Sequence, residues 1–284
     1  MTLNAGQGGT LTLGGDRQVN RLGYGAMRIT GDGVWGPPED RAGAIAVLRR
    51  AVELGVSFID TADSYGPGAS EELIAEALHP YPEELVVATK GGFLRDGPSQ
   101  WRPDGRPEHL REACEDSLRR LQVDCIDLYQ MHVPDSNVPY EESVGALAQL
   151  REEGKIRHVG VSNVSPEQLA SAQEIVPVVS VQNRFSMSDR DAEPVLEICA
   201  EQGIAFIPWF PLASGNLARP GGPLDQIAEA HDVSTSQVAL AWLLARSEVM
   251  LPIPGTKSIE HLEDNVGAAG LELTAEELDE LNAG

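Results

Sequence analysis

Cysteine is scarce in this chain. Three occur in 284 residues, Cys114, Cys125 and Cys199, with no C-x-x-C spacing. That excludes a disulfide-stapled secreted scaffold and predicts buried thiols in a reducing cytoplasm. No Cys/His cluster has metal-ligand spacing either, so no metal is expected. Lysine is scarcer still for its type, present only at 90, 155 and 257, and 21 basic residues face 44 acidic ones for a net charge of −23. Such a balance favours solubility and opposes any polyanion, so nucleic acid is not an expected partner. No apolar run approaches the roughly 20 residues that span a bilayer, and no membrane association is expected. The opening stretch MTLNAGQGGT lacks a basic region followed by an apolar one, so no signal peptide is expected. Low-complexity runs, Ser/Gly linkers and repeats of 20–50 residues are also missing. The expectation is one domain over residues 1–284, a cytoplasmic protein that is a monomer or a weak homo-oligomer.

What is present is a rhythm. Residues 10–22, TLTLGGDRQVNRL, alternate about Gly14-Gly15-Asp16 and predict a hairpin. Leu22 to Met27 follows as a first strand. Apolar residues at helical spacing (Ala44, Val47, Leu48, Ala51, Val52) predict a helix over 40–54, closed by Gly55. Strands are then expected near 56–60, 85–90, 126–131, 156–161, 178–182, 204–209 and 249–253. Helices are expected near 70–78, 107–121, 140–153, 166–174, 191–202, 235–246 and 258–269. Two elements break the pattern: an extra helix at 224–231 and a capped C-terminal helix within 274–283. Alternating strands and helices predict a parallel sheet under helical cover. Eight units in one undivided stretch predict a closed α/β barrel, the (β/α)8 TIM fold, which takes about 250 residues.

Three strand ends carry chemistry. The strand at 56–60 ends on Asp60, the next ends on Lys90, and the third (IDLYQM) ends on His132, with Tyr65 in the loop after the first. In a parallel barrel these ends share one face, where active sites are built. A phenol near an ammonium held by a carboxylate is a candidate proton donor for carbonyl chemistry. A single charged strand end is usually incidental, and so is a lone histidine; three in succession are not. GYGAMR at 23–28 lacks the third glycine of G-x-G-x-x-G and has no helix directly after it, so a dinucleotide-binding Rossmann reading is weak.

In the contexts FIDTADSYG, VVATKGG and IDLYQMHVP, the residues Asp60, Tyr65, Lys90 and His132 resemble the catalytic tetrad of the aldo-keto reductases. GKIRHVGVSN, VSVQNRFS, PWFPLASG and IPGTKS resemble the same family in the same order, so the resemblance covers essentially the whole chain. RLGYGAM, GVWGPP and MHVPDSNVPYEES look most like a bacterial branch that includes pyridoxal reductases. The resemblance implies reduction of an aldehyde or ketone, with hydride from NADPH and the proton from Tyr65. Lys90, paired with Asp60, would lower the pKa of Tyr65, and His132 would orient the carbonyl.

It also implies a cofactor site. Ser162, Asn163 and Gln182 would hold the nicotinamide carboxamide, and Trp209 would stack on the ring. Pro211, Leu212, Ser214, Gly215 and Leu217 would form a pyrophosphate loop, chiefly through backbone amides. Gly25, Ala26 and Met27 lie at the upper end of the first strand. Gly255, Thr256, Lys257, Ser258, His261 and Asn265 match the segment that reads the adenosine ribose phosphate and adenine. His261 stands where an arginine is frequent, which weakens the case for a 2′-phosphate and leaves NADH possible beside NADPH. Trp35, Phe93, Trp101 and Met27 are candidates for the substrate mouth, whereas His79, His109, His158 and His231 have no motif context. In the family the hairpin plugs the barrel bottom. Many members carry an extended C-terminal loop; this sequence ends almost where that loop would begin, which predicts a more open pocket on that side. Two rival readings are a cofactor-binding regulatory subunit, like those attached to some potassium channels, and a barrel aldolase with Lys90 as a Schiff base. The second leaves the cofactor segments unexplained.

Overall fold

The computed structural model describes residues 3–210 and 221–283. The first hairpin pairs β1 (Thr10–Leu13) with β2 (Arg17–Asn20), antiparallel. Strand β3 (Tyr24–Gly25) opens the barrel, and α1 (Arg41–Glu53) follows. The succession continues with β4 (Phe58–Asp60), α2 (Ala69–Leu78) and β5 (Val86–Gly91). A second antiparallel hairpin, β6 (Phe93–Gly97) and β7 (Gln100–Pro103), comes next. After it run α3 (Pro107–Leu121), β8 (Ile126–Met131), α4 (Tyr140–Glu152), β9 (Ile156–Ser162), α5 (Pro166–Ile175) and β10 (Val178–Gln182). The chain finishes with α6 (Glu193–Gln202), β11 (Ala205–Phe206), α7 (Pro223–His231), α8 (Thr235–Arg246), α9 (Ile259–Gly267) and α10 (Ala275–Ala283).

The large sheet runs β11-β10-β9-β8-β5-β4-β3, all parallel. Residues 249–254 supply the eighth staves. On one side Phe206 donates to the Val249 carbonyl at 2.8 Å and Leu251 to that of Phe206 at 2.9 Å; on the other Gly23 donates to the Pro252 carbonyl at 2.9 Å. Pro252 and Pro254 have no N–H to give, so this eighth strand accepts more than it donates and lacks a regular ladder. The sheet therefore closes into the expected (β/α)8 barrel. The first strand is shorter than the expected 22–27: the chain leaves it for a single 3-10 turn over Ala26–Ile29. Met27 accordingly sits in that turn.

Strand alternation separates two cores. Side chains at Phe58, Val86, Ala88, Leu128, Ile207 and Leu251 pack with Leu13 and Val19 of the first hairpin. The hairpin therefore closes the barrel interior from below, and each of the larger buried side chains (Leu, Val, Ile, Phe) contributes about 1.5–3 kcal/mol. Arg17 ties it to the Leu85 carbonyl and to Asp127, while Asp16 meets His158 at 2.6 Å. The alternate residues, among them Ile59, Val87, Tyr129, Val159 and Val181, face the helices. Capping boxes Ser165/Gln168 and Ser234/Gln237 start α5 and α8. Among the described residues no helix is long and apolar enough to cross a membrane.

Candidate active site

Above the apolar floor the inward positions become polar. In β5, Val86 and Ala88 lie in the floor and the next inward residue is Lys90; in β8, Leu128 is followed inward by Gln130 and then His132. Lys90 is fully buried, and its Nζ donates to Asp60 Oδ2 at 2.7 Å and to the Thr61 carbonyl at 2.8 Å. Asp60 Oδ1 accepts from Gln130 Nε2 at 3.1 Å and from Gln182 Nε2 at 2.9 Å. A buried charge is tolerated only when it is paired and hydrogen-bonded, and both carboxylate oxygens here are satisfied. Ser180 donates to Gln130 Oε1 at 3.4 Å. Gly160 makes room for these side chains, since a Cβ there would lie 2.2 Å from Ser180 Oγ and 2.8 Å from Gln130 Cγ.

Tyr65 and His132 stand over this pair. Lys90 Nζ lies 5.2 Å from the Tyr65 ring centroid, and the Tyr65 and His132 rings meet edge to face at 5.8 Å. The expected lowering of the Tyr65 pKa is not what the geometry produces. Burial raises it; Lys90 pulls it back only in part, because Asp60 acts against the ammonium, and the net direction is up. Burial would also lower the Lys90 pKa, but Asp60 and Tyr65 outweigh it and leave the group firmly charged. Burial, reinforced by the Lys90 charge, holds His132 well below the ordinary imidazole range, so the ring is neutral. Ser64 Oγ lies 3.5 Å from its Nδ1.

The candidate substrate residues divide. Phe93 sits 4.7 Å from the His132 ring and 5.5 Å from Trp101, which reaches within 6.3 Å of Tyr65. These two form an aromatic wall carried by the β6–β7 hairpin. Trp35 is 39% exposed and lies beside Arg95 rather than the tetrad.

Four of the candidate cofactor residues, Ser162, Asn163, Gln182 and Trp209, join the same network. Trp209 Nε1 donates to Asn163 Oδ1 at 3.0 Å, and Asn163 Nδ2 donates to both the His132 carbonyl and Ser162 Oγ at 3.0 Å. Asn163 thus spends its amide linking three strand ends, and holding a carboxamide would require one bond to be exchanged. Gln182 reaches Asp60 through Nε2, which leaves Oε1 as the acceptor a carboxamide needs. At the β3 end, a Cβ on Gly25 would lie 2.6 Å from the Ile253 carbonyl, and one on Gly255 would lie 2.6 Å from that of Gly25. Both glycines let the first and eighth strands approach. Ala26 and Met27 continue this edge, and Ser70 donates to the Ala26 carbonyl. Tyr24 donates to the Thr256 carbonyl at 2.5 Å, and Ser258 caps α9 by accepting from the His261 N–H. Lys257 and His261 are exposed, and Asn265 is buried on α9. Pro211, Leu212, Ser214, Gly215 and Leu217 lie outside the described residues.

The pattern of the aldo/keto reductase family matches residues 21–283. The chain belongs to that family. It is an NAD(P)H-dependent oxidoreductase. An uncharacterised oxidoreductase of Schizosaccharomyces pombe is 53% identical over 274 residues, 96% of this chain and 89% of the yeast protein. Pyridoxine 4-dehydrogenase of Escherichia coli is 43% identical over 279 residues, 96% of this chain and 97% of its own length, in line with the expected pyridoxal reductase-like branch. A Klebsiella pneumoniae aldo-keto reductase solved in complex with NADPH superposes with a TM-score of 0.81 at 28% identity, over 96% of this chain and 94% of that one.

Sequence reasoning passed over two contributors to this candidate site. Gln130, a fully buried amide in the apolar strand IDLYQM, steadies Asp60; a polar residue inside an apolar strand was the available signal. Arg95 holds the loops around Tyr65 from the β6–β7 hairpin, whose available sequence signal was the Gly97-Pro98 step into its Pro98-Ser99 turn.

Proposed function

We propose that this reductase converts an aldehyde to an alcohol with NADPH, and that Tyr65 delivers the proton. The observation that carries the reading is the buried Lys90–Asp60 pair beneath Tyr65, with neutral His132 at the same barrel mouth. The residues fit the cofactor in kind: Gln182 offers an amide oxygen, Trp209 is anchored at a strand end, and Lys257 stands exposed next to the N-terminus of α9. Helix N-termini favour anions, so Lys257, Ser258 and α9 together suit a ribose 2′-phosphate. Bound NADPH would supply the hydride. Negative charge then grows on the carbonyl oxygen, and preorganised donors offset it. Tyr65 donates its proton there, and the Lys90 ammonium stabilises the phenolate left behind. His132, being neutral, keeps one ring N–H to give, and a bond from Ser64 to Nδ1 would place that proton on Nε2.

For the substrate we favour flat aromatic or heteroaromatic aldehydes, pyridoxal among them. Phe93 and Trp101 offer apolar faces to such rings, and the similarity to pyridoxine 4-dehydrogenase supports the choice. The test is NADPH oxidation across pyridoxal, aromatic aldehydes, methylglyoxal and small ketones. Turnover of pyridoxal and aromatic aldehydes is expected. Reaction with small dicarbonyls alone would refute the substrate class, and reaction with none would refute the activity.

A further inference from the structure

We propose that Arg95 is a positioning residue that, together with Val34, clamps the backbone on both sides of Tyr65 and holds the Trp101 wall beside it. The inference rests on the reading of Tyr65 as proton donor.

Every donor of this guanidinium is committed to a backbone carbonyl. Nε gives to Gln100 at 3.0 Å, Nη1 to Val34 and Ser64 at 2.8 Å each, and Nη2 to Gly33 at 2.9 Å and Gly97 at 3.3 Å. Those five bonds exhaust the five N–H groups of an arginine. They gather the loop after β3, the loop after β4 and the β6–β7 hairpin. Arg95 has no carboxylate partner among the described residues. Its guanidinium lies 3.6 Å from the Trp101 ring centroid, a cation–π contact on the same indole that meets Tyr65 edge-on. With its donors used and one face covered, Arg95 has no free donor to hold an anion and acts as a tie.

The second observation is backbone strain in the same place. Val34 has φ +56°, a left-handed conformation that is a genuine outlier for a β-branched residue. It turns the Val34 carbonyl onto two donors at once, Arg95 Nη1 and the Gly66 N–H at 3.2 Å. A ring results. Arg95 holds the carbonyl of Ser64, the residue before Tyr65, while Val34 holds the amide of Gly66, the residue after it, and Arg95 holds Val34. Strain stored where it fixes the flanks of one phenol points to placement of that phenol.

The test compares Arg95→Lys, Arg95→Met and Val34→Pro, because proline fixes φ near −65° and cannot keep the left-handed turn. Measurements are kcat and KM with an uncharged aromatic aldehyde and with a carboxylate-bearing one, NADPH affinity by fluorescence titration, Tm, and the kcat isotope effect with NADPH deuterated at the transferred position. The proposal expects kcat to fall at least about tenfold in all three, with NADPH affinity within about twofold and a raised isotope effect. The Arg95→Met/Val34→Pro double variant should be no worse than the poorer single one, since both break one ring. Wild-type kcat and KM in Arg95→Lys would overturn it. So would a loss shared equally by NADPH affinity and Tm, or a loss confined to anionic carbonyls. If the Arg95 variants do not fold, Val34→Pro decides alone, and wild-type kcat there overturns the proposal. A wild-type enzyme inert toward every carbonyl would instead remove the functional reading beneath it.

Discussion

Lys90 and Asp60 meet at 2.7 Å with both side chains out of solvent, on neighbouring strands of the barrel. The pair draws its stability from complete satisfaction: Thr61, Gln130 and Gln182 occupy the positions that the ion pair leaves open. Breaking such a pair on one side strands a buried charge at a cost of about 3–5 kcal/mol. Lys90→Met is therefore expected to lower both stability and turnover. Asp60→Asn added to Lys90→Met should restore much of the stability and none of the turnover. Chemical denaturation together with aldehyde reduction separates the two effects. Full activity in the double variant would show that the ammonium has no chemical part.

A different carboxyl, in the loop after β4, works against folding as pH rises. Asp63 Oδ1 is shut off from solvent and has no hydrogen-bond partner among the described residues, although the residue as a whole is partly accessible. Burial, then the nearby Glu71 carboxylate, push its pKa from 3.8 up to about 8, with Arg120 and Ser64 offsetting only part. Between those values the folded state holds a proton that the unfolded state has released, so stability falls as pH rises from about 4 to 8. Asp63→Asn keeps the shape and removes the ionisation. Its Tm advantage over wild type should be small at pH 4–5 and grow to several degrees by pH 8. A difference that does not change with pH would show that Asp63 is charged in the folded protein.

Cofactor choice is tested at the edge of the barrel. A net charge of −23 disfavours the more anionic NADPH at long range, so preference must come from short-range donors, and Lys257 is the exposed cation beside the α9 N-terminus. One charge-assisted contact is worth about 1.5–3 kcal/mol, or roughly one to two decades of affinity. Lys257→Met is expected to weaken NADPH by that amount and leave NADH nearly unchanged. His261→Arg should strengthen NADPH, because guanidinium can grip a phosphate with two donors. Equal losses for both cofactors in Lys257→Met would mean that this segment does not read the 2′-phosphate.

The barrel and the convergence of Asp60, Tyr65, Lys90 and His132 at one mouth were legible because both depend on local pattern. Strand alternation carries Val86, Ala88 and Lys90 to one face, and a charged residue that ends an apolar strand is visible without any tertiary knowledge. What stayed hidden depends on contacts between distant segments. The eighth strand reads as apolar residues at 249–253, yet Pro252 and Pro254 deny it a regular ladder. The β6–β7 hairpin is short and polar, so its alternation is faint, and nothing in its sequence says that Arg95 reaches loops around residues 33 and 64. The direction of the Tyr65 pKa depends on the balance between burial and a charged ammonium whose pull Asp60 partly offsets, which pairing by motif does not weigh.

Tyr65→Phe tests the central claim most directly, since it removes one hydroxyl and little volume. Reduction of an aromatic aldehyde and NADPH binding should be measured on the same preparation as wild type. The account predicts NADPH affinity within about threefold and kcat lower by roughly 10²-fold or more, the range for loss of a general acid. A kcat within about threefold of wild type would contradict it and remove Tyr65 from the reaction.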